Sequence, residues 1–115
     1  MEAMRQRLKE AAGGGAGMIL LHNGVVRASS RQGEPVSAIE VEADLERLEA
    51  IVSEARAMDG ILAVEAELNT GRLEVGDDIM LLGVAGDIRE HVISCLSITL
   101  DRIKAEVTKK REFRP

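Results

Sequence analysis

Residues 36–68, "VSAIEVEADLERLEAIVSEARAMDGILAVEAEL", change their hydrophobic period twice. Over 36–43 apolar and acidic residues alternate, with Ile39, Val41 and Ala43 on one face and Glu40 and Glu42 on the other. That is the pattern of a half-buried strand. From Leu45 the spacing becomes three and four, through Leu48, Ile51, Val52, Ala55 and Met58, which places one apolar stripe on a helix. Asp44 is suited to cap its start and Gly60 to end it. Alternation then returns over 61–68, predicting a strand with Leu62, Val64, Ala66 and Leu68 inward. Strand, helix, strand in one short stretch makes this a sheet domain of the α+β or α/β class.

Working outward, "GMILLHNGVVRA" (17–28) reads as a strand with a turn or bulge at Asn23-Gly24, and "SSRQGEP" (29–35) as a polar loop. Downstream, "NTGRLEVGDD" (69–78) holds a short extended piece between two glycines, and "IMLLGVAG" (79–86) is apolar on both faces, as in a central strand. A long helix is predicted from about Asp87 to Val107. Ile88, Val92, Ile93, Cys95, Leu96, Thr99, Leu100 and Ile103 give it a face too wide for one packing surface, so it is either sandwiched in the fold or shared with another subunit. At the other end, residues 2–12 suit a short helix broken by Gly13-Gly14-Gly15. No Gly-Lys-Ser/Thr follows those glycines, so they read as a linker and not as a phosphate loop. The expected division is a helix and glycine-rich linker over 1–16 and a folded domain over 17–115.

Composition narrows the function. At 115 residues the chain is one domain, and with a single Phe and no Trp or Tyr it has no platform for stacking bases. A net charge of −5 argues against general duplex binding, so no nucleic-acid partner is expected. No apolar run reaches the roughly 18 residues of a membrane span, and the N-terminus lacks a secretion signal's apolar core. One cysteine makes no internal disulfide. A cytoplasmic location without membrane contact is the expectation.

Catalytic chemistry is sparse. His91 and Cys95 are four residues apart on the last helix, but no further Cys or His completes a zinc set, so no metal and no cofactor are expected. Ser29 and Ser30 lie outside any Gly-x-Ser-x-Gly elbow, and the glutamates read as solvated faces. Basic residues stand out instead. The last fifteen residues, "DRIKAEVTKKREFRP", carry six basic and three acidic side chains at the end of an otherwise strongly acidic chain. Arg27, Arg72, Arg89 and Lys104 sit at element ends, with Lys109, Lys110 and Arg111 just beyond. Cations placed there can converge on a phosphate or carboxylate.

Three segments, "GVVRASSRQGEPVSAIEVEA" (24–43), "TGRLEVGDDIMLLGVAG" (70–86) and "DRIK…KKRE" (101–112), resemble in order and spacing the large catalytic subunit family of molybdopterin synthase. The resemblance runs from about Gly17 to Glu112. It implies an α+β, hammerhead-like α/β domain with a mixed or antiparallel sheet and two main helices. It also implies a homodimer and a small ubiquitin-like sulfur-carrier partner whose thiocarboxylated Gly-Gly tail enters the large subunit. Sulfur then passes to a pterin phosphate, cyclic pyranopterin monophosphate, in molybdenum cofactor biosynthesis. By the same resemblance Lys104 and Lys110 are catalytic, and Arg27, Arg89 and Arg111 bind anions; Arg111 takes the second lysine's place in an ungapped alignment.

The chain departs from the family pattern at Ile88, where a histidine precedes the arginine, at His22, where an aromatic is common, and around Lys110, where a proline and a tryptophan are missing. Two readings stay open: a sulfur-transferring subunit, or a catalytically impaired paralogue that serves as a dimeric binding module. Arg89 and Lys104, fifteen residues apart, are about 22 Å apart along one helix. If both serve one site, they belong to different chains.

Overall fold

Helix α1 (Glu2–Ala12) ends in a single 3-10 turn over Gly13–Gly15, after which come β1 (Met18–Val25), β2 (Ala38–Ala43), α2 (Leu45–Arg56) and β3 (Ile61–Leu68). They are followed by β4 (Gly71–Glu74), β5 (Asp78–Gly86), α3 (Arg89–Glu106) and β6 (Thr108–Phe113) in the computed structural model, which describes residues 1–115. The helix in the decisive stretch starts where its cap predicts: Asp44 Oδ1 accepts a hydrogen bond from the Arg47 backbone N–H at 3.0 Å. Its buried stripe is Leu48, Ile51, Val52 and Ala55, whereas Leu45 is 60% exposed. Gly60 turns the chain into β3 at φ +75°, and a Cβ there would lie 2.1 Å from His91 Nδ1, so the position admits only glycine.

The strands form two antiparallel sheets of three, ordered β1-β5-β3 and β4-β2-β6, so the single sheet read from the sequence is divided and has no parallel pair. The division falls at residues 75–77, a turn with Gly76 at φ +93° that carries the chain from β4 in one sheet to β5 in the other. The bulge expected at Asn23-Gly24 is present as a register shift between Gly24 and Val25.

β5 is the central strand of its sheet and is covered on both faces. Met80, Leu82 and Val84 face the main core with α2 and α3, while Ala85 and Ala63 meet Met4 and Leu8 of α1 on the other side. Leu82, Val84 and Leu8 are fully buried, each a gain of about 1.5–3 kcal/mol. Leu8 fits because its opposite number is Gly83; a Cβ there would stand 2.5 Å from Leu8 Cδ1 and 2.8 Å from Leu21 Cδ2.

One expectation needs correction. Leu62 is not inward: the β3–β5 register shifts between Ile61 and Ala63, leaving Leu62 at 44% exposure while Val64 is buried. The bulge breaks the simple alternation on which the expectation rested. The residues after Val107 are a strand, β6, antiparallel to β2 along its whole length. On α3 the residues Val92, Cys95, Thr99 and Ile103 are buried, whereas Ile88, Ile93 and Ile98 are nearly half exposed. One chain therefore covers only part of that wide apolar face. No helix is long and apolar enough to cross a membrane.

Candidate anion-binding cleft

Where the two sheets meet, a cleft of about 670 Å³ opens between the end of β1, the loop 26–37, the end of α3 and β6. Its lining includes Arg27, Arg31, Lys104 and Lys110, against one carboxylate, Glu112. Each is placed by a distinct device. Past the β1 bulge, Val26 is tied to the 76–77 turn, donating to Asp77 O at 2.9 Å and accepting from Gly76 N–H at 2.8 Å, which fixes where Arg27 emerges. Lys104 lies in the last turn of α3, one residue after the fully buried Ile103.

Lys110 owes its place to the β2–β6 ladder. Its partner is Val41 and that of Glu112 is Ile39, so both share the face turned to the cleft, and Lys109, Arg111 and Phe113 take the other. Arg111 thus leaves the cleft. Its guanidinium stacks on the Phe113 ring at 5.0 Å, with Arg72 on the same ring at 4.9 Å. Arg89 opens α3, fifteen residues from Lys104, and is not in the lining. Of the five basic residues singled out by the resemblance, the fold brings together Arg27, Lys104 and Lys110.

The electrostatics follow the crowding. Partial desolvation at the cleft, and then the positive charges of Lys104 and Arg31, hold the Lys110 ammonium below the ordinary lysine value of 10.5; Glu112 opposes this. Glu112 is itself shared with Arg114, at 3.6 Å. His22, on β1, is pushed below its ordinary 6.5 by burial and by the charges of Lys104 and Lys110, so it stands neutral beside them, its Nε2 buried without a hydrogen-bond partner.

Sequence reasoning missed Arg31, Ser30 and the influence of this charge cluster on His22. Ser30 is 5% exposed, and its Oγ accepts from the backbone N–H groups of Gln32 and Glu34, each at 3.2 Å. A serine in a polar turn was the only available signal. Cys95, by contrast, is packed beside Thr99 and Ala55, and burial pushes its thiol up, away from reactivity. No cluster of three His, Cys, Asp or Glu side chains capable of holding a metal ion occurs.

With this geometry in view, the family described as MoaE protein matches residues 1–106. Among solved structures, molybdopterin synthase from Staphylococcus aureus superposes with a TM-score of 0.80 at 21% identity, over 96% of this chain and 84% of that one. The molybdopterin biosynthesis MoaE protein from Burkholderia ambifaria gives 0.76 at 25% identity, over 100% and 79%. A complex of subunits 1 and 2 of the molybdopterin-converting factor from Helicobacter pylori gives 0.74 at 16% identity, over 96% and 75%. Comparison with curated protein sequences finds no match.

Proposed function

The chain belongs to the MoaE protein family, and from that premise we propose that it works as the large subunit of a molybdopterin synthase, with its chemistry in the basic cleft. The observation that carries this reading is the convergence of Arg27, from the end of β1, with Lys104 and Lys110, from α3 and β6 more than seventy residues later, on one cavity. A cleft holding four cations and one carboxylate in an acidic domain is built for an anion, and both reactants of the synthase are anions. The guanidinium of Arg27 holds the pterin phosphate in fork geometry. The thiocarboxylate at the end of the small subunit's Gly-Gly tail enters beside the lysines.

Lys110, held below its ordinary value, is the lysine of the cleft better able to shed and regain a proton, and Lys104 lies beside it. Each carbon–sulfur bond made on the pterin breaks one acyl–sulfur bond of the tail, with water taking the acyl group as a carboxylate. The proton released by that water needs an acceptor, and Lys110 in its neutral form is placed for it.

The missing proline and tryptophan beside Lys110 favour the second reading, an impaired paralogue. Against it stands β6, whose pairing with β2 holds Lys110 over the cleft without either residue. Arg89 joins the site only from a second copy, and the half-exposed Ile88, Ile93 and Ile98 on α3 supply apolar surface for such a dimer. The test is dithiolene formation from cyclic pyranopterin monophosphate and a thiocarboxylated small subunit, with Lys104→Ala as control. Product with wild type and none with the variant supports synthase; binding of the tail without product in wild type establishes the paralogue.

A further inference from the structure

The loop between β1 and β2 carries a second guanidinium into the cleft, that of Arg31, to which the family resemblance assigns no role. It stands on a tightly closed turn. Ser30 N–H donates to Glu34 O at 2.8 Å, Gly33 N–H donates to Ser30 O at 3.0 Å, and the buried Ser30 Oγ takes two more backbone N–H groups. Gly33, at φ +82°, supplies the left-handed residue this closure requires. The far side is tied down by Arg114, which donates to Pro35 O at 3.2 Å and pairs with Glu34 at 3.7 Å. The backbone at Arg31 is therefore fixed while its side chain stays exposed to the cleft.

What distinguishes Arg31 from a surface solubility device is its company. Arg5, Arg7, Arg47, Arg72, Arg102 and Arg114 are each engaged by a carboxylate of the chain; of the five arginines that are not, only Arg27 and Arg31 line the cleft, whereas Arg56 donates to Val64 O, Arg111 stacks on Phe113 and Arg89 opens α3. They share a cavity with Lys104 and Lys110, and the charge of Arg31 reaches Lys110. Four cations gathered in one cleft repel one another unless an anion sits among them.

We propose that Arg31 is a phosphate-binding residue of the cleft, acting with Arg27 as a pair of guanidinium forks on a phosphate group. That this phosphate belongs to a pterin rests on the sulfur-transfer reading; the phosphate chemistry rests on the cleft alone. Two guanidinium groups can each fork onto the non-bridging oxygens of a phosphate ester with charge-assisted hydrogen bonds, and they leave Lys104 and Lys110 for the reacting end.

The experiment is titration of the isotope-labelled full chain with inorganic phosphate at low ionic strength, followed through the backbone amides of residues 28–34 and 108–113. Arg31→Gln should weaken binding about tenfold, the weight of one charge-assisted hydrogen bond, and Arg31→Lys by less. Arg72→Gln, on the outer face of the second sheet, should change nothing. Because Arg31 is exposed, melting temperatures confirm that each variant is folded. Phosphate binding unchanged in Arg31→Gln while Arg27→Gln loses it overturns the proposal, as does a wild type that binds no phosphate at tens of millimolar.

The synthase assay separates the two readings. There Arg31→Gln should raise KM for the pterin with kcat nearly kept. An active wild type whose KM ignores Arg31 overturns the role of Arg31 and leaves sulfur transfer standing. An inactive wild type whose phosphate binding depends on Arg31 overturns sulfur transfer and supports the phosphate site.

Discussion

Lys110 stands opposite Val41 in the β2–β6 ladder, with its stem on the face where Val41 is 1% exposed. A strand pairing, and not a local motif, thus sets the environment of the second lysine. Partial desolvation, Lys104 and Arg31 all disfavour its charged form. As Lys110 works in its neutral form, the rise of the synthase rate with pH should accordingly fall below pH 10.5, and Arg31→Gln, by removing one of the depressing charges, should move it to higher pH. In folding the sign is opposite to that of a salt-bridged lysine: charging Lys110 costs stability at neutral pH, and stability recovers as pH rises through its folded value toward 10.5. Lys110→Met should therefore raise the melting temperature at pH 7 while abolishing product; a lower melting temperature would contradict the assigned environment.

Mixing two dead variants tests the shared site. Arg89→Ala and Lys104→Ala each lack activity alone if both residues serve. When the two are co-refolded, half the dimers are mixed, and one of the two sites in each mixed dimer is intact. About a quarter of wild-type activity should return if Arg89 reaches across from the second chain. If the two residues act within one chain, none returns. Light scattering reports the dimer independently.

The docking of α1 rests on a bump and a hole. Gly83→Ala drives a methyl group into Leu8 Cδ1 and Leu21 Cδ2 and should cost about 1–3 kcal/mol in denaturant melts. Leu8→Ala should cost about 2–5 kcal/mol by leaving a cavity. Because the two groups touch, the double variant should cost clearly less than the sum.

At the start of α3, Asp87 Oδ1 bonds both His91 Nδ1 at 2.8 Å and the Ile88 backbone N–H. The hydrogen bond to Asp87 holds His91 above 6.5, and the same bond together with the Ile88 N–H holds Asp87 below 3.8. The histidine's share of stability is complete below 6.5 and lost as pH rises through its folded value. The aspartate's share is complete above 3.8 and lost as pH falls through its folded value. Full benefit thus lies between pH 3.8 and 6.5. Both groups are solvent-exposed, so the effect is small. Asp87→Asn keeps an oxygen for the Ile88 N–H and should flatten the dependence of melting temperature across that window; an unchanged profile would rule out this pair as its source.

The elements legible in the sequence were those whose side chains declare a period. Stretch 36–68 showed its strand, helix and strand because Val41, Ile51 and Val64 are buried at the spacing of each element. β6 was illegible for the opposite reason: in "TKKREF" only Thr108 and Phe113 are partly buried, and the strand exists because β2 offers it a ladder. Arg27 and Lys104 could be found through motifs. Arg31 could not, since an arginine in a polar loop looks like any other until the turn around Ser30 shows where it is held.

The β2–β6 pairing also sets an order of events. Residues 108–113 bond to a strand some seventy positions earlier, so a chain emerging from the ribosome can form α2, β3 and β5 before the strand that carries Lys110 exists. Until then β2 presents an open edge and the cleft lacks one wall. Competence for any anion chemistry arrives only once residues 108–113 have been made, and a chain clipped before them would keep its first sheet yet be inert.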